Sequence, residues 1–282
     1  MPLVTAVLTT YNRAPELRLS ISKLLQQTRL PDEIWVIDDA STDETPAMVR
    51  EEFPAVRYLR LPKNLGVIRA RNVALANIRS GYLLLLDDDS WFVQSDGLER
   101  SLAFAVAHQV AAIIGLNVRT ADDHLKFAAG GVPHPVRSFQ GCAALLKMEE
   151  LSRHDLEFEG AFVRQGEEKD LCLRAYNAGL ATYALPDIEV FHAVSSAARN
   201  WSRIRFYEHR NDVLRELLRC PTALLGFRLI RTWLSHTRYN LSTGEWLTDF
   251  RVAAALPWIL ATARRLRAPV SKAAYRGWAG LG

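Results

Sequence analysis

Three aspartates in a row end one of the most hydrophobic short segments of the chain, "GYLLLLDDDSW" at residues 81–91. Neighbouring carboxylates repel one another, and burying any of them is costly without a partner. Asp87, Asp88 and Asp89 therefore form either a solvated acidic turn or the seat of a positive ligand. Hard divalent cations prefer such oxygen donors, and Mg²⁺ or Mn²⁺ is commonly shared with substrate phosphates. Asp38 and Asp39 end a second apolar segment, "EIWVIDD". Carboxylates placed there can accept hydrogen bonds from a ribose or a base, while Asp38 or Ser41 can cap the helix that follows. Arg69, Arg71 and Asn72 follow "KNLG". A guanidinium near such a cleft can pair with a diphosphate. Two residues apart on a helix, Arg69 and Arg71 diverge, so at most one reaches the ligand. "GEEKDL" (166–171) places Glu167, Glu168 and Asp170 in a first helical turn. The helix dipole alone favours acids there; the chemical reading is a general base for an acceptor hydroxyl. His192, in "VFHAVSS", is a metal ligand if it folds back near Asp89 and a structural or exposed histidine otherwise.

The elements that must position these residues are legible over the first 90 positions. Strands are expected at 3–10, 33–38, 56–61 and 82–87, each short and apolar. Helices are expected at 15–27, where Leu17, Ile21, Leu24 and Leu25 recur at helical spacing, from the Ser41/Glu44 capping-box pair onward, and at 67–78. This β-α-β-α-β-α-β order predicts an α/β fold with a mainly parallel central sheet flanked by helices. Ligands of such sheets bind beyond the carboxyl ends of the strands. Three strands end there in Thr9-Thr10-Tyr11-Asn12, Asp38-Asp39 and Asp87-Asp88-Asp89, which nominates one shared cleft. Further on, a helix is expected at 95–108, a strand at 110–119, loops and irregular strands over 127–146, a helix over 166–179 and a strand at 188–193. From about 198 the chain reads as helical.

The composition is that of a globular chain: 282 residues, 49% hydrophobic and 23% charged. Three cysteines without metal-like spacing favour a reducing, cytoplasmic compartment. The sequence shows neither a signal peptide nor an apolar run long enough to span a bilayer. Charge is uneven: residues 221–282 carry nine Lys and Arg against two Asp and Glu, while the first 220 carry 26 against 29.

Taken together and in order, the motifs resemble the GT-A-fold glycosyltransferases of sequence family two, including its rhamnosyltransferase-like bacterial members. "VTAVLTTYNR" is similar to the donor loop, "VIDDASTDET" to the strand that meets the nucleobase, and "NLGVIRARNVAL" to the helix after it. "GYLLLLDDDS" resembles the metal motif, "GEEKDLCLRAYNAG" the helix of the catalytic acid, and "FHAVSS" the trailing histidine. The resemblance covers about residues 3–215. It implies that Thr9, Tyr11 and Asp39 line the nucleoside pocket, Arg71 approaches the diphosphate, and Asp87 and Asp88 lie near ribose and cation. Asp89, with His192 as a further ligand, would hold Mg²⁺ or Mn²⁺. Glu168 would be the base of an inverting, single-displacement transfer, with Glu167 and Asp170 as rivals because relatives often carry Glu-Asp here. The implied donor is a UDP-, GDP- or dTDP-linked sugar, and the acceptor a hydroxyl, in one form on a lipid-linked glycan. The Gln-x-x-Arg-Trp signature of processive synthases is absent.

The expected organisation is a catalytic domain over 1–215, with a donor half at 1–119 and an acceptor half at 120–215, then a basic helical region at 216–282. Arg199, Asn200, Arg210 and Asn211 resemble the "RN" helix of rhamnosyltransferase-like members. The basic, aromatic tail either rests on an anionic membrane surface or packs on the body or a second copy. Nucleic acid is not an expected partner, since no recognised module accompanies the charge. Two other functions share these features: a nucleotidyltransferase of sugar metabolism, whose Gly-rich N-terminal loop is missing from "VLTTYNRAPEL", and a non-catalytic nucleotide-sugar binder.

Overall fold

The run of four leucines sets the layering. In the computed structural model, which describes residues 3–79, 81–128, 130–194 and 200–281, they lie on strand β4 (Tyr82–Asp87). Successive side chains of a strand point to opposite faces. Leu83 and Leu85 accordingly enter one hydrophobic core, and Leu84 and Leu86 enter another across the sheet. A strand covered on both faces must be apolar throughout. β1 (Val4–Thr10) is likewise buried along its whole length.

β1 pairs in parallel with β2 (Glu33–Asp38) on one side and with β4 on the other, and β2 pairs in parallel with β3 (Arg57–Arg60). The crossovers are α1 (Ala14–Leu24), α2 (Thr45–Glu52) and α3 (Val67–Asn77). α1 buries Ala14, Leu17, Ile21 and Leu24, one stripe at helical spacing. α2 starts later than the Ser41/Glu44 pair suggests. Asp43 accepts from the Thr45 amide, whereas the Ser41 hydroxyl accepts from the Asn12 amide. The capping box is thus replaced by a tie between two loops.

Beyond β4 the sheet becomes mixed. The remaining elements of this half are β5 (Ser90–Phe92), α4 (Gly97–Ala107), β6 (Ala111–Thr120), β7 (His134–Pro135), β8 (Ala143–Lys147), α5 (Met148–Arg153), α6 (Glu167–Asn177) and β9 (Ala181–His192). The strand order is β3-β2-β1-β4-β8-β6-β9-β5, with β7 on β9. β8, inside a segment expected to be irregular, is central and antiparallel to both β4 and β6. β9 extends well upstream of the expected strand at 188–193 because it pairs in parallel with β6 across a register shift.

Five helices follow: α7 (Trp201–Arg219), α8 (Thr222–Ser242), α9 (Leu247–Ala254), α10 (Leu256–Leu266) and α11 (Lys272–Ala279). Val252 of α9 and Ile259 and Ala263 of α10 join the core that α3, α6 and α7 share. Tyr275 and Trp278 of α11 close a smaller cluster with Leu173 and Cys220. α8 differs, burying only Asn240 fully.

Candidate active site

The parallel register brings the expected strand ends together. Thr9 lies level with Ile37 and with Asp87, and Thr10 with Asp38. The loop after β1 is lashed to the loop after β2: Asn12 Oδ1 accepts from the amides of Thr42 at 2.6 Å and Asp43 at 3.3 Å. Asn12 holds a left-handed φ of 55°, a conformation asparagine tolerates better than most residues. Tyr11 is 46% exposed, whereas Thr9 is buried. Asp39 accepts from the amides of Leu65 at 2.6 Å and Gly66 at 2.8 Å. It thereby holds the turn into α3, where Gly66 has a φ of 85°. Asp38 accepts from the Ser41 amide and from Tyr58.

At the end of β4 the three aspartates have separate partners. Asp87 takes the Arg71 guanidinium at 2.7 Å. Asp89 takes His192 Nε2 at 3.1 Å through one oxygen and Arg13 Nη2 at 2.8 Å through the other. Arg13 Nε also lies 3.5 Å from Asp88. The approach of His192 follows from strand pairing, since β5 sets Ser90 opposite His192 and the Ala193 amide donates to the Asp89 carbonyl. The condition for His192 to join the acids is therefore met.

The electrostatics show how much charge is left over. Burial, assisted by repulsion from Asp89 and Asp87, pushes Asp88 up to about 7, although Arg13 opposes the shift. Burial would also raise Asp89, but His192 and Arg13 hold it below the usual range. Burial disfavours a charged His192, yet Asp89 and Cys142 outweigh it and push the ring up to about 11. Asp87, Cys142 and His192 present donor atoms within 4.8 Å of one another. Burial raises the Cys142 thiol, so the donors on offer are carboxylate oxygens and, once a cation displaces its extra proton, the His192 imidazole, a set that accepts Mn²⁺ or Mg²⁺. Asp89 Oδ2 is buried and receives no hydrogen bond of good geometry. The residues fit a divalent cation.

Arg71 joins this acidic cluster to α6. It is 4% exposed, and its Nη1 lies 3.6 Å from Glu167 while its Nη2 holds Asp87. Gly141 makes room for it: a Cβ there would fall 2.2 Å from Arg71 Nη1. The Gly141 amide also donates to Glu168 Oε1 at 3.2 Å. The three acids of α6 now separate. Asp170 is fully buried between Arg174 at 2.8 Å and Arg219 at 2.7 Å, which leaves it no path to an acceptor. Glu167 is buried against Arg71 with Oε2 unpartnered. Burial and the Glu168 charge push Glu167 up to about 8. Glu168 is the one of the three that is part-exposed.

Two participants were not apparent from the motifs. Arg13 follows "TTYN" directly, and that adjacency was the available signal. Gly141 carried none, because its role depends on a side chain 70 positions away in sequence. Arg199 lies outside the described residues. Asn200 caps α7 by accepting from the Arg203 amide, Asn211 donates to the carbonyls of Arg164 and Gln165, and Arg210 donates to that of Ala161. The segment leading into Glu167 and Glu168 therefore hangs from α7.

The architecture, a central sheet flanked by helices, is shared with solved glycosyltransferases of GT-A type. A mannosyltransferase from Pyrobaculum calidifontis, in complex with GDP-Man and Mn²⁺, superposes over 99% of this chain and 83% of its own (TM-score 0.62, 20% identity). S. aureus TarS 1-349 in complex with UDP-GlcNAc matches 94% of this chain and 88% of its own (TM-score 0.64, 17% identity). The family model for glycosyl transferase family 2 matches residues 5–170, and the chain belongs to that family. Among curated relatives, the succinoglycan biosynthesis protein ExoO of Rhizobium meliloti is 36% identical over 114 residues, 39% of this chain and 32% of that protein. A putative teichuronic acid biosynthesis glycosyltransferase of Bacillus subtilis, TuaG, is 30% identical over 39% of this chain and 44% of its own length. The match thus spans less than half of either relative.

Proposed function

We propose that the protein is an inverting, metal-dependent glycosyltransferase that moves a sugar from a nucleoside-diphosphate donor to a hydroxyl acceptor in cell-envelope polysaccharide or glycoconjugate synthesis. The observation that carries this reading is Arg71, which ties Asp87 to the start of α6 and so sets the acidic cluster and Glu168 around one cleft. The family and the nucleotide sugars in the similar structures support it. Family membership favours transfer over nucleotidyl chemistry, and the accessible Glu168 favours a catalyst over a passive binder.

In this reading Thr9, Tyr11 and Asp39 line the nucleoside site, Asp39 doing so from a carboxylate already anchored on the Leu65 and Gly66 amides. Arg71 approaches the diphosphate as a positioning residue, and Asp87 and Asp88 lie near the ribose and the cation. Asp89 and His192, with Asp87 adjacent, would hold Mg²⁺ or Mn²⁺, whose charge would neutralise the departing diphosphate. Glu168 accepts the acceptor's hydroxyl proton. The acceptor oxygen forms its bond to the anomeric carbon as the bond from that carbon to the phosphate oxygen breaks. The electron pair leaves with the nucleoside diphosphate. Residues 1–215 supply this machinery, split near 119 into donor and acceptor halves.

Residues 216–282 would bring the enzyme to the inner face of an anionic membrane. No helix among the described residues is long and apolar enough to cross one. α8 instead exposes Phe227, Ile230, Leu234 and Leu241 beside Arg231 and Arg238, a pattern suited to lying in the interface. Sedimentation with phosphatidylglycerol vesicles should fall in a Phe227→Ser/Ile230→Ser variant; equal sedimentation rejects the membrane role.

The central experiment is a thermal-shift and hydrolysis panel of UDP-, GDP- and dTDP-sugars with Mg²⁺ or Mn²⁺. One donor should stabilise the protein only with metal, and Asp89→Ala should abolish that gain. A panel in which nothing binds or turns over sinks the reading.

A further inference from the structure

A groove of about 370 Å³ lies along the first turns of α7, lined by Asn200, Ser202, Arg203, Phe206, Tyr207 and Arg251. Its chemistry is opposite to that of the strand ends. Arg203 and Arg251 line it, and Arg210 lies behind Tyr207. Among the described residues no Asp or Glu pairs with any of these three arginines. Aromatic faces hold them instead: Arg203 lies over Tyr207 at 5.9 Å, Arg210 over Tyr207 at 4.9 Å and Trp258 at 4.6 Å, and Arg251 over Phe206 at 4.8 Å. Stacking of this kind fixes a guanidinium while leaving its N–H fork free. Arg251 spends one donor on Ser202 Oγ at 3.0 Å.

Arg210 sharpens the point. It is 6% exposed, and its hydrogen bonds go only to neutral oxygens, Asn211 Oδ1 and the Ala161 carbonyl. A buried cation without an anion is costly. Burial accordingly pulls Arg210 below its usual value, with only Tyr207 opposing. The paired arginines nearby provide the contrast: Arg205 has Glu208, Arg215 has Asp212, and Arg219 has Asp170.

The groove's place relative to the candidate base identifies its occupant. Arg210 and Asn211 hold the carbonyls of residues 161, 164 and 165, just before Glu167 and Glu168. From Asn211 back to Arg203 is about 12 Å along the helix axis at 1.5 Å per residue. The groove's lining on α7 therefore begins about two helical turns from the contacts that hold the segment before Glu168, while the donor's diphosphate has the strand-end cluster. We propose that this groove binds the phosphate or diphosphate of the acceptor, so that the acceptor is a phosphate-bearing molecule whose hydroxyl is presented to Glu168. This rests on the transferase reading above. The shared chemistry is a phosphate anion, carried either by a lipid or by a soluble molecule.

The test is calorimetric binding of inorganic pyrophosphate to the full chain in EDTA, which removes the metal-dependent route. The wild type and Arg153→Ala/Arg264→Ala, a charge-matched control at exposed positions, should bind alike. Arg203→Ala/Arg251→Ala, both at exposed positions, should bind at least about tenfold more weakly, the loss of one to two charge-assisted hydrogen bonds. Undiminished binding overturns the proposal. A second arm measures the nucleoside diphosphate that the wild type binds best with Mn²⁺. Affinity unchanged within about twofold supports an acceptor role, and a parallel loss assigns the arginines to the donor and overturns it. Geranyl diphosphate binding more tightly than pyrophosphate assigns the phosphate to a lipid, and equal binding assigns it to a soluble acceptor; both support the groove. A wild type that binds pyrophosphate but no nucleoside diphosphate would instead break the transferase reading, a failure distinct from that of the groove.

Discussion

α6 carries three acids in its first turn, and their surroundings use them differently. Asp170 points inward to Arg174 and Arg219, which hold its carboxylate below the usual range against the burial that would raise it. Glu167 and Glu168, in the same turn, share the Arg71 guanidinium, which Asp87 also claims. With Glu159, which also takes Arg219, the cluster around Asp170 is balanced in charge, and the cleft cluster carries more negative than positive charge. A balanced buried cluster holds elements together, whereas an unbalanced one stores electrostatic work that a ligand or a proton relieves. The α7 groove shows the same imbalance with the sign reversed.

Four substitutions can break or sharpen this contrast. The largest effect is expected from Glu168→Gln, which should lower the transfer rate by about 10²–10⁴-fold and leave metal-dependent donor binding intact. Single-turnover transfer beside donor calorimetry measures both, and transfer at the wild-type rate would move the base to Glu167. Asp170→Asn should do the reverse. It leaves Arg219 and Arg174 without their shared anion, and breaking a buried pair typically costs about 3–5 kcal/mol. Urea denaturation should show that loss, while any variant that remains folded keeps its donor affinity. A variant of unchanged stability would remove the distinction between the two clusters.

Gly141→Ala probes the link between the clusters. The added methyl meets the Arg71 guanidinium, so Arg71 must leave Asp87 or Glu167. A displacement on the scale of an ångström can cost up to about 10²-fold in rate. We expect a drop in kcat with a small change in melting temperature, and an unchanged kcat would show that Arg71 does not position the cleft. The smallest effect should be that of Glu167→Gln on the pH dependence of stability. Folded Glu167 keeps its proton up to about 8, against an ordinary 4.5 in the unfolded chain. Between those values the folded state binds the extra proton, so this group makes stability fall as pH rises. The variant should lose that slope, and melting curves that stay parallel to the wild type from pH 5 to about 8 would contradict it.

Much of the donor half was legible because its signals are local. Short apolar runs, helical periodicity and acids at strand ends each fit within a dozen residues, and the parallel order of the first four strands follows from their alternation with helices. β8 was not legible, since a five-residue central strand inside "FQGCAALLK" has no period of its own and is defined by β4 and β6. The tail had two readings, packing or membrane contact. The structure packs α9–α11 into the cores and leaves a face of α8 open, and membrane contact for that face is a proposal.

By itself, the sequence determined the kinds of group at the site: Asp87, Asp88 and Asp89 on a buried strand, Glu167, Glu168 and Asp170 on one helical turn, and His192 after a strand. Residue type and period are properties of the chain. Only the tertiary structure decided which of them face one another. His192 meets Asp89 through the β5–β9 pairing, Arg71 reaches Glu167 across nearly 100 positions, and Arg174 and Arg219 remove Asp170 from the rivals for the base. The reason is physical: a carboxylate's role depends on the charges within a few ångströms of it, and those neighbours come from segments that only the fold brings together.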